Sequence, residues 1–96
     1  MSTSFDQRIA VTSDALVSII AGESVILNCQ TESYFGLDHT GTRMWTALTT
    51  SASIQAAYES LASEFDADKD LLRRDLLAFI EQLTDRKLIE LYTEIR

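Results

Sequence analysis

Residues 32–45, ESYFGLDHTGTRMW, decide how the rest of the chain reads. Its first half, Ser33–Leu37, places Phe35 and Leu37 on one face and Tyr34 on the other, which is strand patterning. Its second half opens with Asp38, whose carboxylate suits the orphan N–H groups of a helix's first turn. Met44, Trp45 and Leu48 then follow at helical spacing. The chain therefore changes from strands to helices at Asp38.

Upstream, the segment Ala15–Ile20 (ALVSII) is apolar and rich in β-branched residues, and predicts a strand. Ala21-Gly22-Glu23 supplies a reversal, with glycine where the backbone must turn tightly. Residues 24–29 (SVILNC) alternate, with Val25, Leu27 and Cys29 on one side and Ile26 and Asn28 on the other. Cys29, sharing the side of Val25 and Leu27, reads as a buried structural thiol. A polar connection over residues 30–32 leads into Ser33–Leu37, completing a three-stranded meander. Arg8–Val11 adds a short extended piece, and residues 1–7 are expected to fray.

Downstream, residues 49–53 (TTSAS) break the first helix. Ile54, Ala57, Tyr58, Leu61, Ala62 and Phe65 then give the i, i+3, i+4, i+7 pattern of an amphipathic helix. Asp66-Ala67-Asp68 forms a short turn, with Asp68 as the next N-cap. The last helix carries Leu72, Leu76, Phe79, Ile80 and Leu83 on one stripe, while Leu71 and Leu77 fall on opposite flanks. Its apolar face is thus wider than packing on one neighbour requires. Leu88, Ile89, Leu91 and Tyr92 suggest a closing strand. The expectation is an α+β domain, a three-stranded antiparallel meander followed by three helices, winged-helix-turn-helix-like. Residues 1–12 are its N-terminal arm and residues 13–93 its single domain.

Ninety-six residues support one small core, and 46% apolar with 24% charged residues is the composition of a globular chain. No apolar run approaches the roughly 20 residues of a membrane helix, and the N-terminus lacks signal-peptide character, so a cytoplasmic protein is expected. The net charge of −7, with acids in excess in both halves, opposes binding to phosphate backbones.

Catalytic and metal chemistry find little support. Cys29 and His39 are each single, which excludes an internal disulfide and makes a zinc site improbable on donor chemistry. No G-x-S-x-G is present, and one histidine at a helix start is poor material for a general base. Asp66, Asp68 and Asp70 suggest calcium, but the sixth and twelfth loop positions counted from Asp66 hold Leu71 and Leu77 instead of Gly and Glu. Lys69, Arg73 and Arg74 stand where a recognition helix would contact DNA, yet Asp68, Asp70 and Asp75 share the same two turns. Neither catalytic residues nor cofactors are expected.

What the residues do offer is an edge. In a meander running in sequence order, Ser33–Leu37 lies at an open edge without lysine or proline to protect it. An extended peptide adding there would gain main-chain hydrogen bonds worth about 0.5–1.5 kcal/mol net each. Equally, the N-terminal arm or a dimer mate would cover the same edge.

The run ESVILNCQTESYFGLDHTGTRMWTAL combines a leucine- and valine-rich hairpin, an aromatic-Gly-Leu-Asp strand end, a glycine and an aliphatic-Trp pair. The run SIQAAYESLASEFDADKDLLRRDLLAFIEQLTDRKLIE adds a hydrophobic helix, an acidic break, and a helix with an acidic residue before an apolar-x-x-Phe-aliphatic core. Taken in order, these features resemble the PqqD-like family over about residues 15–91. The resemblance implies a non-catalytic recognition element for ribosomally made, post-translationally modified peptides. Such a domain holds the precursor's leader as an extra strand, antiparallel to the third, and presents the core to a separate enzyme. Carried onto this chain, the strand is Ser33, Tyr34, Phe35, Gly36 and Leu37, and the helix wall is Leu72, Asp75, Leu76 and Phe79. Within the family the SYFGLD-type strand is most similar to the stand-alone B1 proteins of lasso-peptide pathways, which serve a cysteine leader peptidase. A PqqD-type chaperone for a radical SAM enzyme is the second reading implied, and a small winged-helix DNA regulator the third. The expected partners are thus a leader peptide and a modifying enzyme, with no nucleic acid and no membrane, and the chain itself a monomer or an edge-paired or swapped dimer.

Overall fold

The computed structural model describes residues 4–66 and 68–93. The elements run β1 (Arg8–Val11), β2 (Ala15–Ile20), β3 (Glu23–Asn28), β4 (Ser33–Leu37), α1 (His39–Thr50), α2 (Ile54–Glu64), α3 (Lys69–Asp85) and β5 (Ile89–Tyr92). Strands β2-β3-β4 form an antiparallel sheet in sequence order, and β1 pairs with β5 in a second, two-stranded sheet. This is the expected α+β order of meander then three helices.

Local chemistry places each boundary. Ala21 and Gly22, with φ of 55° and 82°, make a two-residue turn that closes Ile20 on Glu23. Gly22 is needed twice over there, because a Cβ would also lie 2.8 Å from His39 Nδ1. The Asp38 carboxylate accepts from Gly41 N–H at 2.8 Å, and the Asp68 carboxylate from Leu71 N–H at 3.0 Å, as their positions in sequence suggest. Ser53 does the same for α2 through Ala56 N–H at 3.1 Å. Helix α3 ends in a Schellman pair, Leu88 N–H to Leu83 C=O and Lys87 N–H to Thr84 C=O, each 3.0 Å. Lys87 occupies the left-handed position at φ 59°, where glycine is the usual residue.

The core gathers Ile26 from the sheet, Ile54 and Leu61 from α2, and Leu76, Ile80 and Leu83 from α3, all essentially fully buried. Met44, Trp45 and Leu48 seat α1 beneath the sheet.

Two expectations are corrected. Strand β3 turns Ser24, Ile26 and Asn28 inward, leaving Val25, Leu27 and Cys29 exposed. The polar pair is buried at little cost because it is hydrogen-bonded. Ser24 Oγ lies 2.7 Å from Thr42 Oγ1. Asn28 Nδ2 donates to the Arg86 and Lys87 carbonyls at 3.3 Å, and its Oδ1 accepts from Gln30 and Thr31 N–H. Cys29 is therefore a surface thiol and takes no part in the core.

The second correction concerns the N-terminal segment. From Ser4 onward it is docked, and residues 1–3 lie outside the described part. Phe5 is buried against Tyr58, edge to face at 5.6 Å. The Phe5 and Gln7 carbonyls accept from Gln55 and Ile54 N–H, at 2.7 and 2.9 Å, satisfying the start of α2. A buried aromatic and two helix-end hydrogen bonds outweigh the tendency of a terminus to fray.

Candidate functional site

Hydrogen-bonding direction along the meander follows from the hairpin. A two-residue turn makes Ile20 and Glu23 a hydrogen-bonded pair, and the pairing alternates from there. Residues 23, 25 and 27 of β3 then face β2, and residues 24, 26 and 28 face β4. On β4, Ser33, Phe35 and Leu37 direct their backbone groups to β3. Tyr34 and Gly36 direct theirs outward, to the open side. Among the described residues no backbone hydrogen bond from the N-terminal segment reaches β4; that segment docks on α2 and pairs with β5.

Phe35 points to the helical side, where its ring lies 6.4 Å from that of Phe79 on α3. The Arg86 guanidinium, just past the end of α3, sits 4.7 Å above the Phe35 ring. These two contacts show which flank of α3 faces β4. At 100° per residue, Asp75 and Gln82 share the flank of Phe79 and Arg86, with exposed Leu71 and Ala78 further round. On the opposite flank Arg73 lies over the Phe5 ring at 4.0 Å, and Leu77 packs against the core. The result is a cleft. The Tyr34 and Gly36 backbone forms one side, Phe35 and Phe79 the floor, and Leu71, Asp75 and Gln82 the other side.

Gly36 leaves the outer face of β4 open beside this edge, since nothing lies within 4 Å of where its Cβ would be. The structure thus brings Phe35 and Phe79 into contact, with Tyr34 and Gly36 beside Phe35 on β4 and Asp75 one turn before Phe79 on α3. Ser33 is half-buried at the start of β4 and Leu37 is buried at its end. Leu72 and Leu76 lie beneath the wall, in the core. Leu71, Gln82 and Arg86 were not among the peptide-contacting residues expected from sequence; the apolar breadth that Leu71 gives α3 on the Asp75 side was the available signal.

Other candidates disperse. Arg73 packs on an aromatic ring of the N-terminal segment, so the basic start of α3 presents no continuous cationic face. His39 stands exposed at the first turn of α1. Arg43 and Glu64 form a bidentate pair, 2.6 and 2.8 Å, that ties α1 to α2. Hydrogen bonding to Arg43, reinforced by its charge, lowers the Glu64 carboxyl below its ordinary value. Among the described residues no group of three His, Cys, Asp or Glu could hold a metal, and no helix is long and apolar enough to cross a membrane.

With this geometry in place, comparison with known proteins is informative. The family described as "Coenzyme PQQ synthesis protein D (PqqD)" matches residues 23–89, from the start of β3 to the start of β5. The chain belongs to the PqqD family. Among solved structures similar to this family member is TbiB1, determined in complex with the TbiA(beta) leader peptide. It is 30% identical, with a TM-score of 0.79 over 88% of this chain and 98% of that one. A lasso peptide synthetase B1, complexed with its leader peptide, shares the fold at 18% identity and a TM-score of 0.77, covering 86% and 98% of the two chains. No curated protein matches the sequence.

Proposed function

We propose that this PqqD-family chain is a non-catalytic carrier that captures the leader of a ribosomal precursor peptide and presents it to a separate enzyme. The observation that carries the reading is the open β4 edge facing α3, in a fold it shares with TbiB1, whose structure contains a leader peptide. A leader adding as a strand would take the backbone groups of Tyr34 and Gly36, each bond worth about 0.5–1.5 kcal/mol net. Apolar leader side chains would lie on Phe35 and Phe79, toward Leu71, adding roughly 1.5–3 kcal/mol each when fully buried. Asp75 accepts hydrogen bonds from the peptide at the cleft's rim. The enzyme served is, in this reading, a lasso-type leader peptidase acting in the cytoplasm, as the resemblance of the SYFGLD strand to B1 proteins implies.

Calorimetric titration with the leader of the precursor encoded beside this chain tests the reading. Micromolar or tighter binding is expected on the scale where about −8 kcal/mol corresponds to 1 μM. Absence of binding to that leader would overturn it.

A further inference from the structure

The face of the sheet opposite the helices is apolar and uncovered. Partners across the strands share a face, so Leu16, Leu27 and Tyr34 form one outer row, and Ser18, Val25 and Gly36 the next. Ile20 is 74% exposed, Leu16 59%, Val25 47% and Leu27 37%. The small residues Ser18 and Gly36 leave a shallow concavity of about 580 Å³ beside Ile20 and Val25. A contiguous apolar face of this kind on a small acidic protein marks an interaction surface.

Charge indicates what covers it. Between Arg8 and Arg43 the chain has no lysine or arginine, while Asp14, Glu23, Glu32 and Asp38 all lie exposed around the sheet. The face is thus an apolar surface with a carboxylate rim. A second copy of this chain would bring like charges together, whereas a partner with a lysine- or arginine-rimmed apolar protrusion is complementary. The face also remains free while the β4 edge is occupied, because Tyr34 and Gly36 hydrogen-bond in the plane of the sheet.

We propose that this outer face, through Leu16, Ile20, Val25 and Leu27, docks the enzyme that acts on the captured precursor, by an apolar contact ringed with basic groups. The inference rests on the carrier reading and adds where the enzyme sits. Leader and enzyme then occupy different surfaces of one sheet, and a leader strand on β4 would extend the docking face.

The test pairs calorimetry of the leader with interferometry of the leader-processing enzyme encoded with it, the enzyme measured with and without leader. Ile20→Lys, Leu27→Lys and the charge-reversal variant Glu23→Lys should each weaken enzyme binding at least tenfold and leave leader affinity within twofold. Glu23→Lys replaces one exposed charged side chain by another at the first position of β3, so it keeps the test valid if an apolar-to-lysine variant unfolds. Enzyme affinity should also fall as salt rises. Unchanged enzyme affinity in all three variants would overturn the proposal. So would a concentration-dependent dimer that Ile20→Lys abolishes while enzyme binding persists. If the unsubstituted chain binds enzyme at this face but no leader, the docking face stands and the carrier reading falls; if it binds leader but no enzyme, the reverse holds.

Discussion

The sheet has two open edges, and they differ in what stands behind them. Beside β4, α3 supplies a wall: Phe35 meets Phe79, and Arg86 closes over the ring. Beside β2 the described residues supply no such wall. Val17 and Ile19, on the helical side of β2, are 39% and 54% exposed, and only Ala15 at the start of β2 packs against the core from that side. Both edges expose backbone hydrogen-bonding groups, those of Tyr34 and Gly36 on β4 and of Val17 and Ile19 on β2. Only one combines them with a side-chain cleft. An unpaired strand edge supplies affinity without selectivity, and the adjacent helix adds the pockets that choose a sequence.

The comparison is most easily broken by stability measurements. Phe79→Ala removes a buried ring behind β4 and should cost about 3–5 kcal/mol in urea denaturation. Val17→Ala, on the uncovered side of β2, should cost less than about 1 kcal/mol. Equal losses would show that β2 is packed as well as β4.

Backbone substitutions address binding. Gly36→Pro deletes an outward N–H on β4 and should weaken leader binding at least tenfold, about 1.4 kcal/mol. Ile19→Pro deletes the equivalent group on β2 and should leave leader affinity within twofold by calorimetry. Proline at Phe35 would be uninformative, since that N–H faces β3 and its loss damages the sheet. Asp75→Asn should lower leader affinity by roughly 1 kcal/mol, the scale of a weakened hydrogen bond to a charged group. Asp85→Asn, at the far end of α3, should not change it.

Smaller effects sharpen the picture of the scaffold. Lys87→Gly relieves a left-handed residue and should add about 0.5–1 kcal/mol to stability, read as a higher urea midpoint at unchanged slope. Glu64→Gln should lower the thermal midpoint slightly at neutral pH. The Glu64 carboxyl is depressed by Arg43, so its contribution is complete above the ordinary carboxylate range and is lost as pH falls through the lowered value. Wild type and variant should therefore converge in acid. The pair is exposed, which keeps the effect small.

Much of this molecule is legible from contiguous residues. The stripes of α2 and α3, the glycine reversal at Gly22 and the caps at Asp38 and Asp68 all depend on spacing and local hydrogen bonding, which a short window contains. The edge position of Ser33–Leu37 was also readable, because a meander joined by short turns keeps sequence order. The tertiary structure decided the rest. Alternation in β3 gives its period, but which set faces inward depends on Thr42 of α1 and the carbonyls at the end of α3, which satisfy Ser24 and Asn28. Docking of Phe5 depends on Tyr58 and Arg73, and the flank of α3 that faces β4 on the contacts of Phe79 and Arg86 with Phe35. Elements arise from neighbours along the chain; faces and clefts arise from neighbours in space, whose identity no local pattern encodes.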